Sequence, residues 1–223
     1  MIIAIDGPSG AGKSTLGKML AKKLNLLYLD TGAMYRAVAL AVLQAGEAIE
    51  DEENAAEIAK HSKIELVGEP DSLQIKLDGQ DISDEIRTTE VSQTASIVSS
   101  FSEVRKILVE HQKTLGENAP NGCVLDGRDI GTVVFPNADV KFFLTAKPEA
   151  RARRRFEEDF QRARTSTYEE TLAEINQRDK RDVSREDSPL SIAEDAIVID
   201  TSELNLREVY EQMLEEIKGV RHE

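Results

Sequence analysis

The sequence predicts an α/β protein whose parallel sheet carries helices on both faces. A short apolar run at residues 2–5 precedes a glycine-rich loop and then an amphipathic stretch. The same order of strand, loop and helix recurs between residues 27 and 45. This alternation is typical of parallel sheets, because each strand is joined to the next by a crossover that packs on the sheet. With 223 residues and an apolar fraction of 40%, the chain can form one such domain with an insertion.

The loop after the first strand matches a phosphate-binding pattern, G-x-x-x-x-G-K-[ST]. Its residues are Gly7, Pro8, Ser9, Gly10, Ala11, Gly12, Lys13, Ser14 and Thr15. Lys13 would reach the β- and γ-phosphates of a nucleoside triphosphate, and the Ser14 hydroxyl would bind Mg²⁺. We expect Asp6 to accept hydrogen bonds inside this loop. The alternative, a glycine-rich turn with a surface lysine, is disfavoured by the strand before the loop and the amphipathic helix after it.

The alternation of strands and helices breaks in the middle of the chain. Near residues 63–86, apolar and polar residues alternate over short runs separated by turn signals, which predicts a small antiparallel unit. We therefore expect an insert at about residues 51–99 that caps the main sheet. The core of the domain would then consist of residues 1–50 and 100–223.

The rest of the chain returns to the α/β pattern. Helical spacing is found near residues 50–60, 89–99 and 103–116, after Pro148, from Thr167 to about Arg185, and from Leu206 onward. Further strands are expected at residues 123–125, 140–144 and 196–199. Together with the first two strands these give a five-stranded parallel sheet. Thr167 and Glu170 form a capping box at the start of their helix.

Charge and cysteine content narrow the functional classes. A net charge of −14 disfavours general binding to nucleic acids or anionic membranes. Ten of the fifteen arginines nevertheless lie between Arg128 and Arg185, which indicates a small polyanionic ligand held locally. The single cysteine, Cys123, excludes an internal disulfide bond. No signal peptide or membrane-spanning apolar run is found, so we expect a cytoplasmic protein.

Polar residues are predicted at the carboxyl ends of several strands, where open parallel sheets bind ligands. They include residues 30–32, residues 126–129 and Thr145. Arg36, one turn into the second helix, could reach back over this edge, although a lone arginine is also typical of a solvated surface. Asp126 could position Mg²⁺ through water. Because no second acid follows it directly, this strand end matches the acidic Walker B motif only in part.

Arg128 and Asp129 form a charged pair at this edge. The Arg128 guanidinium group is suited to a phosphate group. Asp129 could accept a hydrogen bond from an amino group or hold Arg128 in place. Alternatively, Asp129 caps the N-terminus of a helix.

Two further arginine clusters lie late in the chain. In the segment 178–185, Arg178 and Asp182 are four residues apart. This segment is either a solvated ladder of salt bridges or a site for phosphate and ribose hydroxyl groups. The segment 151–155 contains four arginines near a helix start. Arginine at a helix start opposes the helix dipole. The cluster at residues 151–155 therefore indicates a segment that closes over phosphate groups.

Four segments together resemble the bacterial cytidylate kinase family. They are residues 5–15, 29–36, 126–136 and 178–182, and the resemblance extends over essentially the whole chain. It implies the P-loop NTPase three-layer fold, with a five-stranded parallel sheet, a small antiparallel insert that binds the nucleoside monophosphate, and a short lid at about residues 151–170. It also implies a monomer that transfers a phosphoryl group from ATP to CMP, and to dCMP, with Mg²⁺.

The same resemblance implies roles for individual residues. The cytosine base would be contacted by Thr31, Ser96, Arg105 and Asp129. The acceptor phosphate would be held by Arg36, Arg128 and Arg185, and the nucleotide and its ribose by Arg178 and Asp182. Catalysis would depend on Lys13, Arg128, Arg178 and Asp182, and Arg154 would bind ATP. The sequence departs slightly from the family pattern: Thr31 stands where serine also occurs, and Ser14 where some members have glycine.

Three other functions stay open at this stage. A related P-loop kinase could act on UMP, AMP or another metabolite, and Asp129 and Arg105 would decide between these bases. A GTP-hydrolysing switch would require an Asn-Lys-x-Asp guanine-binding sequence, which is absent. A non-catalytic protein that keeps nucleotide for structure would leave the second arginine cluster unexplained.

Overall fold

The computed structural model describes residues 1–161 and 165–220. Within them, the strands are β1 (Ile2–Asp6), β2 (Leu27–Asp30), β3 (Ile64–Val67), β4 (Gln74–Leu77), β5 (Gln80–Asp81), β6 (Cys123–Gly127), β7 (Val140–Thr145) and β8 (Ile197–Asp200). The α-helices are α1 (Lys13–Leu24), α2 (Thr31–Ala45), α3 (Glu52–His61), α4 (Thr89–Val98), α5 (Ser102–Glu117), α6 (Pro148–Gln161), α7 (Tyr168–Ser184) and α8 (Leu206–Val220). A π-helical turn, Ile130–Val134, follows β6.

Five strands form one parallel sheet in the order β2, β6, β1, β7 and β8. The predicted fold class is therefore confirmed. The register pairs Asp30 with Asp126, and Asp6 with Gly127, so β1, β2 and β6 end almost level. The polar residues that follow these strands consequently lie side by side at the edge where parallel sheets bind ligands.

Helices cover both faces of this sheet. On one face, Leu20 of α1 and Met213 of α8 share a hydrophobic cluster with Phe142 of β7. On the other face, Leu125 of β6 clusters with Leu115 of α5. Burying both faces explains why the central strands are almost continuously apolar. Among the described helices, none combines the length and the apolar character needed to cross a lipid bilayer.

Strands β3, β4 and β5 form a separate antiparallel sheet within the region predicted as an insert. Ile75 of β4 lies in one hydrophobic cluster with Val38 of α2, Val91 of α4 and Leu108 of α5. Helices α2 and α5 also contact the main sheet. The small sheet therefore shares its core with the rest of the chain.

The π-helical turn after β6 is not predicted by the sequence, and Asp6 explains why it forms. The Asp6 carboxylate accepts hydrogen bonds from the backbone N–H groups of Ile130 (2.8 Å) and Gly131 (2.7 Å). The expectation that Asp6 serves the phosphate-binding loop is thus wrong, because β1 and β6 are neighbours and its side chain reaches the adjacent loop. Burial raises the pKa of Asp6 to about 6, although both N–H groups favour the charged form.

The region predicted as a lid, about residues 151–170, includes most of α6 and the start of α7. Residues 162–164 of this region lie outside the described residues. The capping box is confirmed: the Glu170 backbone N–H donates to Thr167 Oγ1, and the Thr167 N–H donates to the Glu170 carboxylate. Helices α6 and α7 pack against each other, so both arginine clusters belong to one pair of helices.

Candidate active site

The phosphate-binding loop turns sharply between β1 and α1. Gly7 has a φ of 142°, and a Cβ atom there would lie 2.0 Å from the Leu144 carbonyl oxygen, so only glycine fits. Gly12 has a φ of 93° and precedes α1 with no side-chain cap. The first N–H groups of α1 are therefore left for an anion, which the helix dipole also favours.

Neighbouring elements brace this loop. Arg151 of α6 donates from Nη1 to the Ser9 carbonyl oxygen (3.1 Å), and Thr201 Oγ1 donates to the Ala11 carbonyl oxygen (3.3 Å). Arg151 is itself buried and paired with Asp179 of α7 (2.6 Å). Arg151 therefore holds the loop in position. The expectation that the cluster at residues 151–155 closes over phosphate groups is wrong for Arg151.

Lys13 is buried in the loop, where its Nζ donates to the Pro8 carbonyl oxygen (2.7 Å). Burial, together with the nearby Arg128, lowers the pKa of Lys13 well below its ordinary value. A phosphate group beside Lys13 would offset both effects, because an anion stabilises the charged ammonium group.

Ser14 and Asp126 are in direct contact beside the loop. Ser14 Oγ donates to Asp126 Oδ2 (2.7 Å), and the Tyr28 hydroxyl group donates to Asp126 Oδ1 (2.8 Å). Burial and the neighbouring Asp30 raise the pKa of Asp126, so a cation would stabilise its charged form. Hydroxyl and carboxylate oxygens are the donors that Mg²⁺ prefers, and this pair therefore fits the expected metal.

A cavity of about 540 Å³ extends from the loop over the edge of the sheet. The predicted site residues that line it are Ser9, Gly10, Gly12, Lys13, Ser14, Thr15, Thr31, Arg36, Arg105, Arg128, Asp129, Arg154, Arg178 and Arg185. The predicted residues that do not line it are Gly7, Pro8, Ala11, Ser96 and Asp182. The structure thus brings together residues from the phosphate-binding loop, α2, α5, the loop after β6, α6 and α7.

Asp182 holds two of the arginines that line the cavity. Arg128 Nε donates to Asp182 Oδ2 (2.7 Å), and Arg185 Nη2 donates to Oδ1 (2.5 Å). Asp182 is 0% exposed, so the alternative of a solvated salt-bridge ladder is wrong. Burial would raise the pKa of Asp182, but Arg128, Arg185 and Arg178 outweigh it and lower the pKa to about 2.

Arg178 is less well compensated than its neighbours. Its Nε atom is buried and makes no hydrogen bond within the described residues. Burial and the like charge of Arg128 lower the pKa of Arg178 to about 9. A guanidinium group whose charged form is disfavoured in this way is suited to bind an additional anion.

Asp129 forms a buried ion pair with Arg105 of α5. The alternative that Asp129 caps a helix is wrong, because its side chain makes no capping bond to the π-helical turn. Asp129 does not hold Arg128, which pairs elsewhere. Arg105 also donates to the Ser99 carbonyl oxygen (3.1 Å), and its guanidinium carbon lies 5.6 Å from the centre of the Tyr35 ring.

The remaining predicted residues take varied positions. Thr31 Oγ1 donates to the Asp126 carbonyl oxygen (2.7 Å) at the cavity wall. Arg36 lines the cavity and pairs with Asp30 (3.2 Å), so it is not a solvated surface residue. Ser96 is buried, and its hydroxyl group contacts Arg181 Nη1 (3.2 Å).

Reasoning from the sequence missed several residues of the site. Tyr28 contacts Asp126, and Tyr35 lines the cavity beneath Arg105. Each tyrosine lies next to a strand-end motif, Tyr28 two residues before Asp30 and Tyr35 beside Arg36. For Tyr28, the signal that could have identified it is a tyrosine with a polar tip in an otherwise apolar strand, close to such a motif. For Tyr35, which lies in α2, the signal is its position directly before Arg36.

A family model described as cytidylate kinase matches residues 3–219 of the chain. The chain belongs to the cytidylate kinase family. It is 52% identical over 216 residues to the cytidylate kinase of Caldanaerobacter subterraneus subsp. tengcongensis, covering 97% of this chain and 94% of that protein. It is 47% identical over 216 residues to the cytidylate kinase of Bacillus subtilis (strain 168), covering 97% and 96%.

Among solved structures, the chain is similar to an uncharacterized protein from Eubacterium ventriosum ATCC 27560. The TM-score is 0.53 at 12% sequence identity, and the match covers 98% of both chains. At this identity the likeness concerns the fold alone.

Replacing Asp182 with asparagine should destabilise the protein in a pH-dependent way. The folded-state pKa of about 2 lies below the ordinary value of 3.8, so the carboxylate stabilises the fold above about pH 4, and this contribution is lost as the pH falls toward 2. Denaturant unfolding near pH 7 should show a loss of roughly 3–5 kcal/mol in Asp182→Asn, because two buried arginines lose their partner.

The difference between wild type and Asp182→Asn should then shrink by about 2 kcal/mol between pH 4 and pH 2. Glu186→Gln is the matched control, because Glu186 is an exposed acid close by in the sequence. It should change the free energy of unfolding by less than about 0.5 kcal/mol. A loss in Asp182→Asn that is equal at pH 7 and pH 2.5 would contradict the assignment.

Proposed function

We propose that the chain transfers the γ-phosphoryl group of ATP to CMP, giving ADP and CDP, and accepts dCMP as a second substrate. The observation that carries this proposal is that a phosphate-binding loop and the arginines Arg36, Arg128, Arg178 and Arg185 line one cavity. The loop would hold the triphosphate, and the arginines the acceptor phosphate. Membership of the cytidylate kinase family supports the choice of CMP.

Positioning and charge neutralisation would provide most of the catalysis. The γ-phosphoryl group of ATP and the phosphate of CMP repel each other, and both must approach in line. Lys13, Arg128 and Arg178 line the same cavity, where fixed cations would also stabilise the charge of the transition state. The acceptor is already an anionic oxygen, so the reaction requires no strong general base.

The charge state of the free site favours anion binding. Lys13 and Arg178 both have lowered pKa values because they are buried and close to Arg128. Bound phosphate groups would raise both pKa values, and this gain contributes to affinity. Ser14 and Asp126 would hold Mg²⁺, which when bound helps to neutralise the β- and γ-phosphates.

The buried pair of Arg105 and Asp129 would select the base. The Asp129 carboxylate can accept a hydrogen bond from the amino group of cytosine, and Arg105 can donate to its ring acceptors. Uracil has a carbonyl oxygen in place of the amino group, and this oxygen would face the carboxylate without a proton between them. A site built around a hydrogen-bonded group rejects analogues that lack it.

The insert and the lid region would close over the substrates to exclude water, because hydrolysis of ATP is the competing reaction.

We propose a monomer in the cytoplasm that does not bind nucleic acids or membranes. The net charge of −14 supports the absence of these polyanionic partners.

A panel of nucleoside monophosphates with ATP and Mg²⁺ tests the function directly. A coupled assay of ADP release should give a kcat/KM for CMP and for dCMP that is at least about 10-fold higher than for UMP and AMP. Omitting Mg²⁺ should abolish turnover. Equal or better turnover of AMP or shikimate would reject the proposal.

Replacing Asp129 with alanine should reduce base selectivity more than ATP binding. The kcat/KM ratio of CMP to UMP should fall by at least about 10-fold, because the acceptor for the amino group is removed. The dissociation constant of ATP, measured by calorimetry without CMP, should change less than about threefold. Asp139→Ala is a control for the loss of an acid outside the cavity and should leave the ratio unchanged. A CMP preference that survives in Asp129→Ala would count against the role of Asp129.

A further inference from the structure

The Asp126 carboxylate is held by two donors, one on each oxygen. Ser14 Oγ lies 2.7 Å from Oδ2, and the Tyr28 hydroxyl oxygen lies 2.8 Å from Oδ1. Asp126 is 4% exposed and Tyr28 is 1% exposed. A carboxylate can otherwise rotate about its last torsion between two nearly equivalent orientations. The pair of donors fixes its plane and leaves Oδ2 on the side of the phosphate-binding loop.

The position of Tyr28 is set by the fold. In the sheet, β2 lies beside β6, with Tyr28 opposite Val124 and two residues before the level of Asp126. The Tyr28 ring belongs to the hydrophobic cluster under α1. A Cβ atom at Gly17 would lie 2.9 Å from Tyr28 Cε2, and Lys18 Nζ lies 5.8 Å from the ring centre. The ring is therefore closely packed, and its hydroxyl group cannot easily swing away from Asp126.

The hydroxyl group itself is not needed for packing. A phenylalanine would fill the same volume, and burying a hydroxyl group costs free energy unless it is hydrogen-bonded. The Tyr28 hydroxyl group donates to Asp126. Its position thus points to a task at Asp126 and not in the hydrophobic core.

We propose that Tyr28 is a positioning residue that orients Asp126 for the magnesium complex of ATP. This inference rests on the proposed function, in which Ser14 and Asp126 hold Mg²⁺. Groups that hydrogen-bond a metal-binding carboxylate keep it in the orientation that the metal requires, and their loss typically weakens metal affinity 10- to 100-fold. Tyr28 touches neither substrate in this account and acts through Asp126.

The test is a Mg²⁺ titration of the binding of a fluorescent N-methylanthraniloyl ATP analogue. In Tyr28→Phe, the Mg²⁺ concentration that gives the half-maximal increase in nucleotide affinity should rise about 10-fold. The affinity for the same analogue in EDTA, and the affinity for CMP, should each change less than about twofold. Tyr210→Phe is the matched control, because Tyr210 packs on the same hydrophobic cluster and should leave all three values unchanged.

A second comparison separates positioning from a general loss of structure. In an Asp126→Asn background, adding Tyr28→Phe should not shift the Mg²⁺ midpoint further, because the two residues act as one unit. An unchanged midpoint in Tyr28→Phe overturns the inference, as does an equal loss of binding with and without Mg²⁺ or the same shift in Tyr210→Phe. Wild-type protein that does not bind the ATP analogue at all contradicts the proposed function itself.

Discussion

The rest of the site depends on one interaction, the pairing of the buried Asp182 carboxylate with two arginines. The carboxylate accepts hydrogen bonds from both Arg128 and Arg185, and so allows like charges to share a small cavity. Without it, repulsion and burial would both disfavour the charged arginines. Arg178 and Lys13 are less well compensated, as their lowered pKa values indicate. The free protein is therefore deficient in negative charge at the point where two nucleotides would meet.

The scaffold keeps this charged cluster in place from several sides. The parallel register brings the ends of β1, β2 and β6 to one level, and Asp6 fastens the loop that carries Arg128 and Asp129. Arg151 connects the phosphate-binding loop to α6 and α7. Hydrogen bonds from Arg181 to Ser96 and from Arg185 to Ser99 connect α7 to α4 and the residue after it. The phosphate-binding loop and the arginine cluster are thus tied to common elements.

Much of this arrangement could be predicted from the sequence. The parallel sheet, the antiparallel insert and the capping box at Thr167 follow from local periodicity and turn chemistry, and the phosphate-binding loop follows from a short motif. The choice of partner among charged residues could not be predicted. Asp129 pairs with Arg105, 24 residues away, and Asp182 with Arg128, 54 residues away. A sequence gives the type of each charge, but only packing decides which opposite charge lies within reach. Likewise, the hydrogen bond from Tyr28 to Asp126, 98 residues away, depends on packing and could not be predicted.

The most direct measurement is the affinity of a single ligand that joins both nucleotides. Calorimetry with cytidine and adenosine linked 5′ to 5′ through five phosphates would show whether both sites face each other across one charged cavity. We expect one-to-one binding in the presence of Mg²⁺, at least about 100-fold tighter than that of ATP or CMP alone, because the second contact becomes intramolecular. If the linked ligand binds no more tightly than ATP, and CMP still binds to the protein that carries it, the two nucleotide sites do not face each other across one cavity.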